Sequence, residues 1–497
     1  MRLHVLKLHP SDNVAVALSP LEAGQSVTVD GRSLPVSAPV PIGHKIALSD
    51  LSTGDEVVKY GYRIGRVTQS VVRGDWLHSH NMKTSLQETS QYTYDPERAT
   101  LQPAAKCRTF DGYLRPNGCV GTRNQVWVVS TVGCVNRSAD RIAQHCNAQF
   151  GDRIDGVYAL QHAFGCSQLG DDLEHTRTIL ADLIRHPNAG GVLLLGLGCE
   201  ENRVASVLDA AGDVDLTRLR YFNSQEVADE VEEGVTAVEE LVDLMRHDRR
   251  VERPLSDLQV GLKCGGSDAL SGITANPLVG RIVDRVSEHG GGAILTEVPE
   301  MFGAEQTLMN RAATEGIFHD IVSLVADFKA YYTDHRCPIY ENPSPGNVEG
   351  GLTTLEEKSL GAIRKGGSAI VTEVLRYGER KMKKGLSLLE APGNDAVSAT
   401  ALVAAGATVV LFTTGRGTPL GCPVPTIKIS SNRSIYERKP RWIDFNAGSP
   451  AEGFCNASDL EADLFELLLD VAGGRKRTNN ELYDYRDVAI WKMGVTL

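Results

Sequence analysis

Three stretches of the 497-residue chain place a glycine and a cysteine just after an apolar run, among side chains able to do metal or acid–base chemistry. Val157–Leu160 opens into Gln161–Asp172 (QHAFGCSQLGDD), centred on Gly165–Cys166. Val192–Leu197 opens into Gly198–Cys199–Glu200–Glu201–Asn202, and Val260–Leu262 leads to Lys263–Cys264–Gly265–Gly266–Ser267–Asp268. Thiolates, imidazoles and carboxylates suit iron or zinc. Cys166, Cys199 and Cys264 are therefore candidate ligands, of a single ion or of an iron–sulfur cluster. Their separations match no compact Cys-x-x-Cys signature, so they meet only if separate strand ends converge. The same pattern also describes small buried thiols beside glycine turns. Glu297, Glu300 and Asp395 follow other apolar runs, and carboxylates around a cation can both hold it and abstract a proton. His162, just before Cys166, is a candidate base or ligand. His78 and His80 stand at i and i+2 in GDWLHSHNMKT and share a side if that segment is a strand. Arg123, before the run Gln125–Val132, has the guanidinium geometry to clamp a carboxylate.

The elements that must position these groups alternate strand and helix from about residue 106 onward. Gln125–Val132, Val157–Leu160, Gly191–Leu197, Val260–Cys264, Gly292–Leu295, Leu386–Glu390 and Thr408–Phe412 read as strands with helical rhythms between them. That order predicts doubly wound, Rossmann-like parallel α/β layers, whose ligands lie beyond the carboxyl ends of the strands. Residues 1–90 differ: short β-leaning runs punctuated by glycine turns predict a compact β-rich unit. Residues 91–105 form a polar connector, 106–255 a first α/β subdomain and 256–497 a second. Thr413–Cys422 is rich in glycine and could cradle an anion, but it lacks the Walker A ending. No Gly-x-Gly-x-x-Gly, Gly-x-Ser-x-Gly or His-Glu-x-x-His motif is present.

Net charge is −12, with 42% hydrophobic and 23% charged residues. A globular fold with no basic surface for nucleic acid follows from that balance. No apolar run is long enough to span a membrane, and the opening MRLHVLKLHPSDN lacks a signal-peptide pattern. The ten cysteines then read as cytoplasmic thiols, some reactive or metal-bound, rather than disulfides. These readings lead to a metal-assisted lyase, isomerase or hydrolase acting on a small anionic molecule, with a metal- or sugar-acid-binding protein as the non-enzyme alternative.

HxxDNVAVAL (His9, Asp12–Leu18), LHSHN (Leu77–Asn81), DGYLRPNGCVGTRN (Asp111–Asn124), HAFGCSQLGDD (His162–Asp172) and LGLGCEEN (Leu195–Asn202) together resemble the altronate/galactarate dehydratase family. LKCGGSDALSGITANPLVG (Leu262–Gly280), TEVPEMFGAE (Thr296–Glu305), APGND (Ala391–Asp395) and TTGRGTPLGCPVPTIKISSN (Thr413–Asn432) carry the resemblance onward, nearest to the altronate-acting branch. It covers essentially the whole chain. It implies an N-terminal SAF-type domain, an Fe2+ requirement with Mn2+ also serving, and dehydration of D-altronate to 2-dehydro-3-deoxy-D-gluconate in hexuronate catabolism; galactarate or another aldonate is the alternative substrate. On that reading His162 is the first candidate base and Glu297 the second. Arg123, Asn124, Asn202, Asp268 and Arg416 are candidate substrate ligands, and His78, His80, Cys166, Cys199 and Cys264 candidate metal ligands. A homo-oligomer is compatible with all of this.

Overall fold

The computed structural model describes residues 3–86, 91–97, 101–104, 106–449 and 456–497. The ends of the β-rich unit (1–2 and 87–90) and part of the connector (98–100 and 105) thus lie outside the described residues. The N-terminal unit contains a sheet of four antiparallel strands, Val5–Leu6, Val14–Ala17, Lys45–Ala47 and Trp76–Leu77. Glu56–Lys59, Tyr62–Val67 and Met82–Lys83 form a three-stranded companion. Two of its hairpins turn through two residues at positive φ, Asp30–Gly31 and Tyr60–Gly61, the conformation that matches strand twist. The stretch after Trp76–Leu77 is a turn, closed by Asn81 N–H donating to His78 O at 3.0 Å. The i, i+2 argument for His78 and His80 needed a strand and does not hold there.

The first α/β layer is a four-stranded parallel sheet in the order Val157–Leu160, Gln125–Ser130, Ala189–Gly196, Leu219–Asn223. Alternation along Gln125–Ser130 divides the packing. Val126 and Val128 meet helices Asn136–Phe150 and Glu230–Met245. Trp127 and Val129 face the other side, with Ile179 and Leu183 of helix Gly170–Ile184 and Val207 of helix Val204–Ala211. Burial on both faces explains why these strands read as unbroken apolar runs.

The second layer is a seven-stranded sheet, again parallel throughout. Its order is Val371–Leu375, Gly385–Leu389, Gly292–Leu295, Gln259–Cys264, Val409–Thr414, Thr426–Ser430, Phe445–Asn446. Gln259–Cys264 comes first in sequence yet sits in the middle, with later strands added to both sides. Its carboxyl end is therefore a topological switch point, where connections diverge and leave a crevice. Gln125–Ser130 has the same position in the first sheet. Thr109–Leu114 pairs antiparallel with Val251–Pro254 and Val120–Gly121, a small sheet that sequence periodicity did not disclose. Among the described residues no helix is long and apolar enough to cross a membrane.

Candidate functional site

The switch point of the second sheet carries a cluster of three ammonium groups, three carboxylates and a thiol, all buried except the half-buried Asp395. Lys263 and Cys264 end the central strand. Glu297 follows the neighbouring strand Gly292–Leu295, and Glu300 lies in the short helical turn after it. Asp395 opens helix Asp395–Ala404, capped by Asn394, whose side chain accepts from Val397 N–H. Lys358 and Lys365 come from helix Leu355–Ala362 and the turn that continues it. Gly265 is required by this approach: a Cβ there would lie 2.7 Å from Asp395 Oδ2 and 2.9 Å from the Phe412 ring.

Lys263 Nζ donates to Glu297 Oε1, and to Asp395 Oδ1 at 2.7 Å. Lys365 Nζ stands 2.6 Å from Cys264 Sγ and 3.8 Å from Glu297 Oε2. Lys358 Nζ is 2.8 Å from Glu300 Oε1. The thiol of Cys264 donates to Glu300 Oε2 at 2.9 Å, and its backbone N–H to Glu297 Oε2 at 3.2 Å. Three lysines thus face three carboxylates, which is what allows so many charges to stay buried. Burial and then the neighbouring Glu300 raise the pKa of Glu297. Burial acts the same way on Glu300, but Lys358 and Lys365 overcome it and hold that group at about 2. Burial, reinforced by Glu297 and Glu300, pushes the Cys264 thiol up. Glu297 also sits at φ +69°, left-handed for a side chain with no glycine freedom; such positions persist where surrounding structure enforces them, often at functional sites.

Cys264, Glu297 and Glu300 present ligand atoms within 4.8 Å of one another, a candidate metal triad and the one such set among the described residues. Cys166 and Cys199 do not join it. Both are exposed turns of the first sheet, so the three-sulfur convergence expected from the repeated Gly–Cys pattern is not formed. The periodicity gave matching strand ends but not the fact that they belong to two sheets. Asp395, Lys263, Lys358 and Lys365 complete the cluster. The three lysines were missed, although a lysine ending the apolar run Val260–Leu262 was a usable signal, because a charge at that place must be buried.

Other expected site residues occupy different surroundings. His162 is 5% exposed; Nε2 lies 2.8 Å from Ser130 O and Nδ1 accepts from Phe164 N–H. Burial holds its pKa down to about 4. With both ring nitrogens engaged by backbone it clips the Cys166 loop and is not placed as a free base. Arg123 and Asn124 precede a strand and so lie at the amino edge of the first sheet, opposite the crevice. Arg123 does clamp a carboxylate, but a protein one: Nε and Nη2 donate to Glu481 at 2.6 and 2.9 Å. Asn124 Oδ1 accepts from Arg115. A cleft of about 260 Å³ lined by Arg115, His186, Asp215 and Arg218 shares that amino edge and is remote from the cluster. Asn202, wholly buried, donates to Thr131 O. Asp268 ties its own loop, accepting from Ser271, Ser431 and Asn432. Arg416 is half exposed at the rim and pairs with Glu349 at 3.0 Å.

The N-terminal unit closes on the same region through one helix. Glu356 accepts from Thr84 Oγ1 and Ser85 N–H, Glu357 from Lys45 and Lys59, while Lys358 turns to Glu300. His44 Nε2 is 3.3 Å from Glu349 O, beside the Arg416 pair. His78 packs between His44 and Trp76, with ring centroids at 4.7 and 5.5 Å. Burial, then Lys45, lowers its pKa to about 4, and its Nδ1 is buried without a partner. His80 lies against Trp76 at 5.0 Å.

Comparison with known proteins agrees with this arrangement along its whole length. Residues 3–85 match the altronate/galactarate dehydratase SAF domain, 112–246 the D-galactarate dehydratase/altronate hydrolase second domain, and 255–496 the D-galactarate/altronate dehydratase C-terminal region. The chain is 49% identical to altronate dehydratase of Bacillus subtilis (strain 168) over 99% of both chains. It is 48% identical to altronate dehydratase of Escherichia coli (strain K12) over 100% of both. Identity to galactarate dehydratase (L-threo-forming) of the same strain is 34%, over 95% of this chain and 93% of that one. A SAF unit docked on parallel α/β layers, matched region by region and end to end, makes the chain a member of the altronate/galactarate dehydratase family.

Proposed function

We propose that the chain is an altronate dehydratase, removing water from D-altronate to give 2-dehydro-3-deoxy-D-gluconate. The observation that carries this is near-full-length identity of 49% and 48% to two altronate dehydratases, against 34% to the galactarate enzyme. Elimination takes the C2 proton and breaks the C3–O bond; the enol then tautomerises to the 2-oxo acid, and product plus water account for every atom.

The second-sheet crevice has the groups for that chemistry. Glu297 Oε1 is the proton acceptor once Lys263 turns from it to its other acceptors, Asp395 and Cys264 O; burial and Glu300 raise its basicity above that of a free carboxylate, as a general base requires. Lys263 and Lys365 supply positive charge where the C1 carboxylate gains enolate character, in a dry site that makes each charge count. Asp395, its side chain 35% exposed, and Arg416 stand on the solvent side, the latter to receive a distal hydroxyl of the substrate in place of Glu349. His78, with its unpartnered Nδ1, is the N-terminal unit's candidate contribution to the same rim.

A thiol and two carboxylates suit Fe2+ or Mn2+. Cys264 Sγ, Glu300 and Glu297 Oε2 would hold such an ion once the thiol loses its proton and Lys365 gives up its contact with the sulfur. Bound there, it would supply Lewis acidity toward the substrate's carboxylate and 2-hydroxyl. The purified full chain, given Fe2+ or Mn2+ and then D-altronate or galactarate, should release a 2-oxo acid from D-altronate at the higher kcat/KM. Preference for galactarate would move the chain to the other branch of the family, and turnover of neither would reject the reading.

A further inference from the structure

We infer that Cys134, Cys166 and Cys199 are the three protein thiolates of an iron–sulfur cluster at the carboxyl edge of the first parallel sheet. Each cysteine follows one of three adjacent strands. Cys134 comes after Gln125–Ser130, Cys166 after Val157–Leu160 and Cys199 after Ala189–Gly196, with Gln125–Ser130 in the centre. This edge is the first sheet's own switch point, the second place in the fold where an open α/β sheet offers a crevice.

The three turns are tied directly to one another. Gly133 N–H donates to Phe164 O at 2.9 Å, and Asn202 N–H to Gly165 O at 3.1 Å. Asn202 Nδ2 reaches Thr131 O at 3.2 Å, and Ser167 N–H reaches Glu201 Oε2 at 2.8 Å. Each cysteine thus stands one to three residues from a cross-link to a neighbouring turn. All three are free and exposed, whereas Cys146, Cys264 and Cys422 are buried. Packing does not account for three exposed thiols on one edge.

The sulfurs as they stand are too far apart for one ion to be held by all three. A tetrahedral ion bonded to sulfur at ~2.3 Å needs its thiolates about 3.8 Å apart. Cys134, Cys166 and Cys199 do not all lie within 4.8 Å of one another. In an iron–sulfur cluster each thiolate binds its own iron, and the sulfurs stand farther apart. Polar groups lie beside two of the sulfurs: Gln225 Nε2 donates to Cys199 Sγ at 3.6 Å, and Ser167 Oγ stands 3.9 Å from Cys166 Sγ. Behind the turns, Asn202 Oδ1 and Ser130 Oγ are buried without hydrogen-bond partners. Assembly requires iron and sulfide, with the three thiols releasing their protons as Fe–S bonds form. Three thiolates leave one iron of a four-iron cluster for an oxygen ligand; resting on the dehydratase reading above, that ligand is a distal hydroxyl of the sugar acid.

The full chain purified without oxygen, or reconstituted with ferrous iron and sulfide, should contain acid-labile sulfide and show broad visible absorbance. Cys134→Ser, Cys166→Ser and Cys199→Ser should each lose most of both, while Cys264→Ser and the exposed-cysteine control Cys337→Ser keep them. Because a serine variant can fail to fold, alkylation of the wild-type chain is mapped as well. Cys134, Cys166 and Cys199 should be protected in the loaded protein and become reactive after chelation, with Cys337 reactive throughout. Absent sulfide after reconstitution, retention of the cluster in Cys134→Ser, or unchanged alkylation would each overturn the proposal. Altronate turnover is scored separately, so a chain that dehydrates without labile sulfide rejects the cluster alone.

Discussion

Cys264 has an ammonium on its sulfur and a carboxylate accepting its proton, so its surroundings are set by Lys365 as much as by the metal-triad spacing. Replacing Lys365 with Met removes positive charge from both Cys264 and Glu297. Steady-state kinetics on D-altronate should show kcat reduced ~10²–10³-fold, the scale of one lost preorganised charge, with a smaller change in KM. An equal kcat would show that Lys365 only fills space. Arg123 gives the contrasting case. Its guanidinium is 2% exposed and committed to Glu481 and the backbone oxygens of Thr122, Val471 and Lys476. Arg123→Met should therefore cost about 3–5 kcal/mol in urea unfolding by orphaning a buried carboxylate, yet leave KM of the folded enzyme unchanged. A raised KM with unchanged stability would restore Arg123 as a substrate clamp.

Helix Leu355–Ala362 carries the docking of the SAF unit, since successive residues reach Thr84, Lys45, Lys59 and Glu300. One carboxylate, Glu357, faces two ammonium groups. Burial opposes both lysines. Glu357 offsets it for Lys59, which is raised to about 12, but not for Lys45, which is lowered to about 8. Both lysines are nevertheless paired with it: Lys45 Nζ reaches the two Glu357 oxygens at 2.8 and 3.1 Å, and Lys59 Nζ reaches one at 2.8 Å. Glu357→Gln should then cost about 3–5 kcal/mol by leaving two buried ammonium groups without their carboxylate, measured by urea unfolding at neutral pH. Although burial opposes its charge, Lys45 and Lys59 hold the Glu357 pKa far below the carboxylate range. Its folded pKa is depressed, so its stabilisation is complete above the unfolded value of ~4.3 and is lost as pH falls below it. The gap between wild type and Glu357→Gln should narrow from about pH 5 downward; a gap that stays constant would contradict the assignment. This contact was not legible in the chain. The strands Ser26–Val29, Glu56–Lys59 and Val157–Leu160 were read with their observed ends, because period-2 burial and glycine turns are local signals. Leu219–Asn223 and Thr109–Leu114 were missed, since the exposed and half-buried members of each break the apolar pattern. Glu297 was legible as a carboxylate after a strand. Lys358 and Lys365 were not, because their role depends on a helix brought to the sheet edge from far along the sequence.

At the scale of the molecule, two parallel sheets each open a crevice at a switch strand. Helices Gly170–Ile184 and Asp395–Ala404 pack together. Arg380, near Gly406, donates to Asp182 O, linking their carboxyl ends. Their amino ends, beside Cys166 and at Asp395, are thereby brought to one side, so both crevices share a face of the enzyme. Strand Gln259–Cys264 and the loops around it gather the charged cluster, and the SAF unit seals the helix behind it. On this account the C2 proton leaves at Glu297 and not at His162, whose nitrogens are held by Ser130 and Phe164. The direct test is turnover of D-altronate by wild type and Glu297→Gln, together with loss of label from substrate deuterated at C2. With its fold verified by circular dichroism, the variant should lose ~10²–10⁴-fold in kcat, the scale of a general base, with label release falling in parallel. Label release and kcat within about tenfold of wild type, below the smallest loss expected of a missing base, would contradict the assignment of catalysis to this crevice.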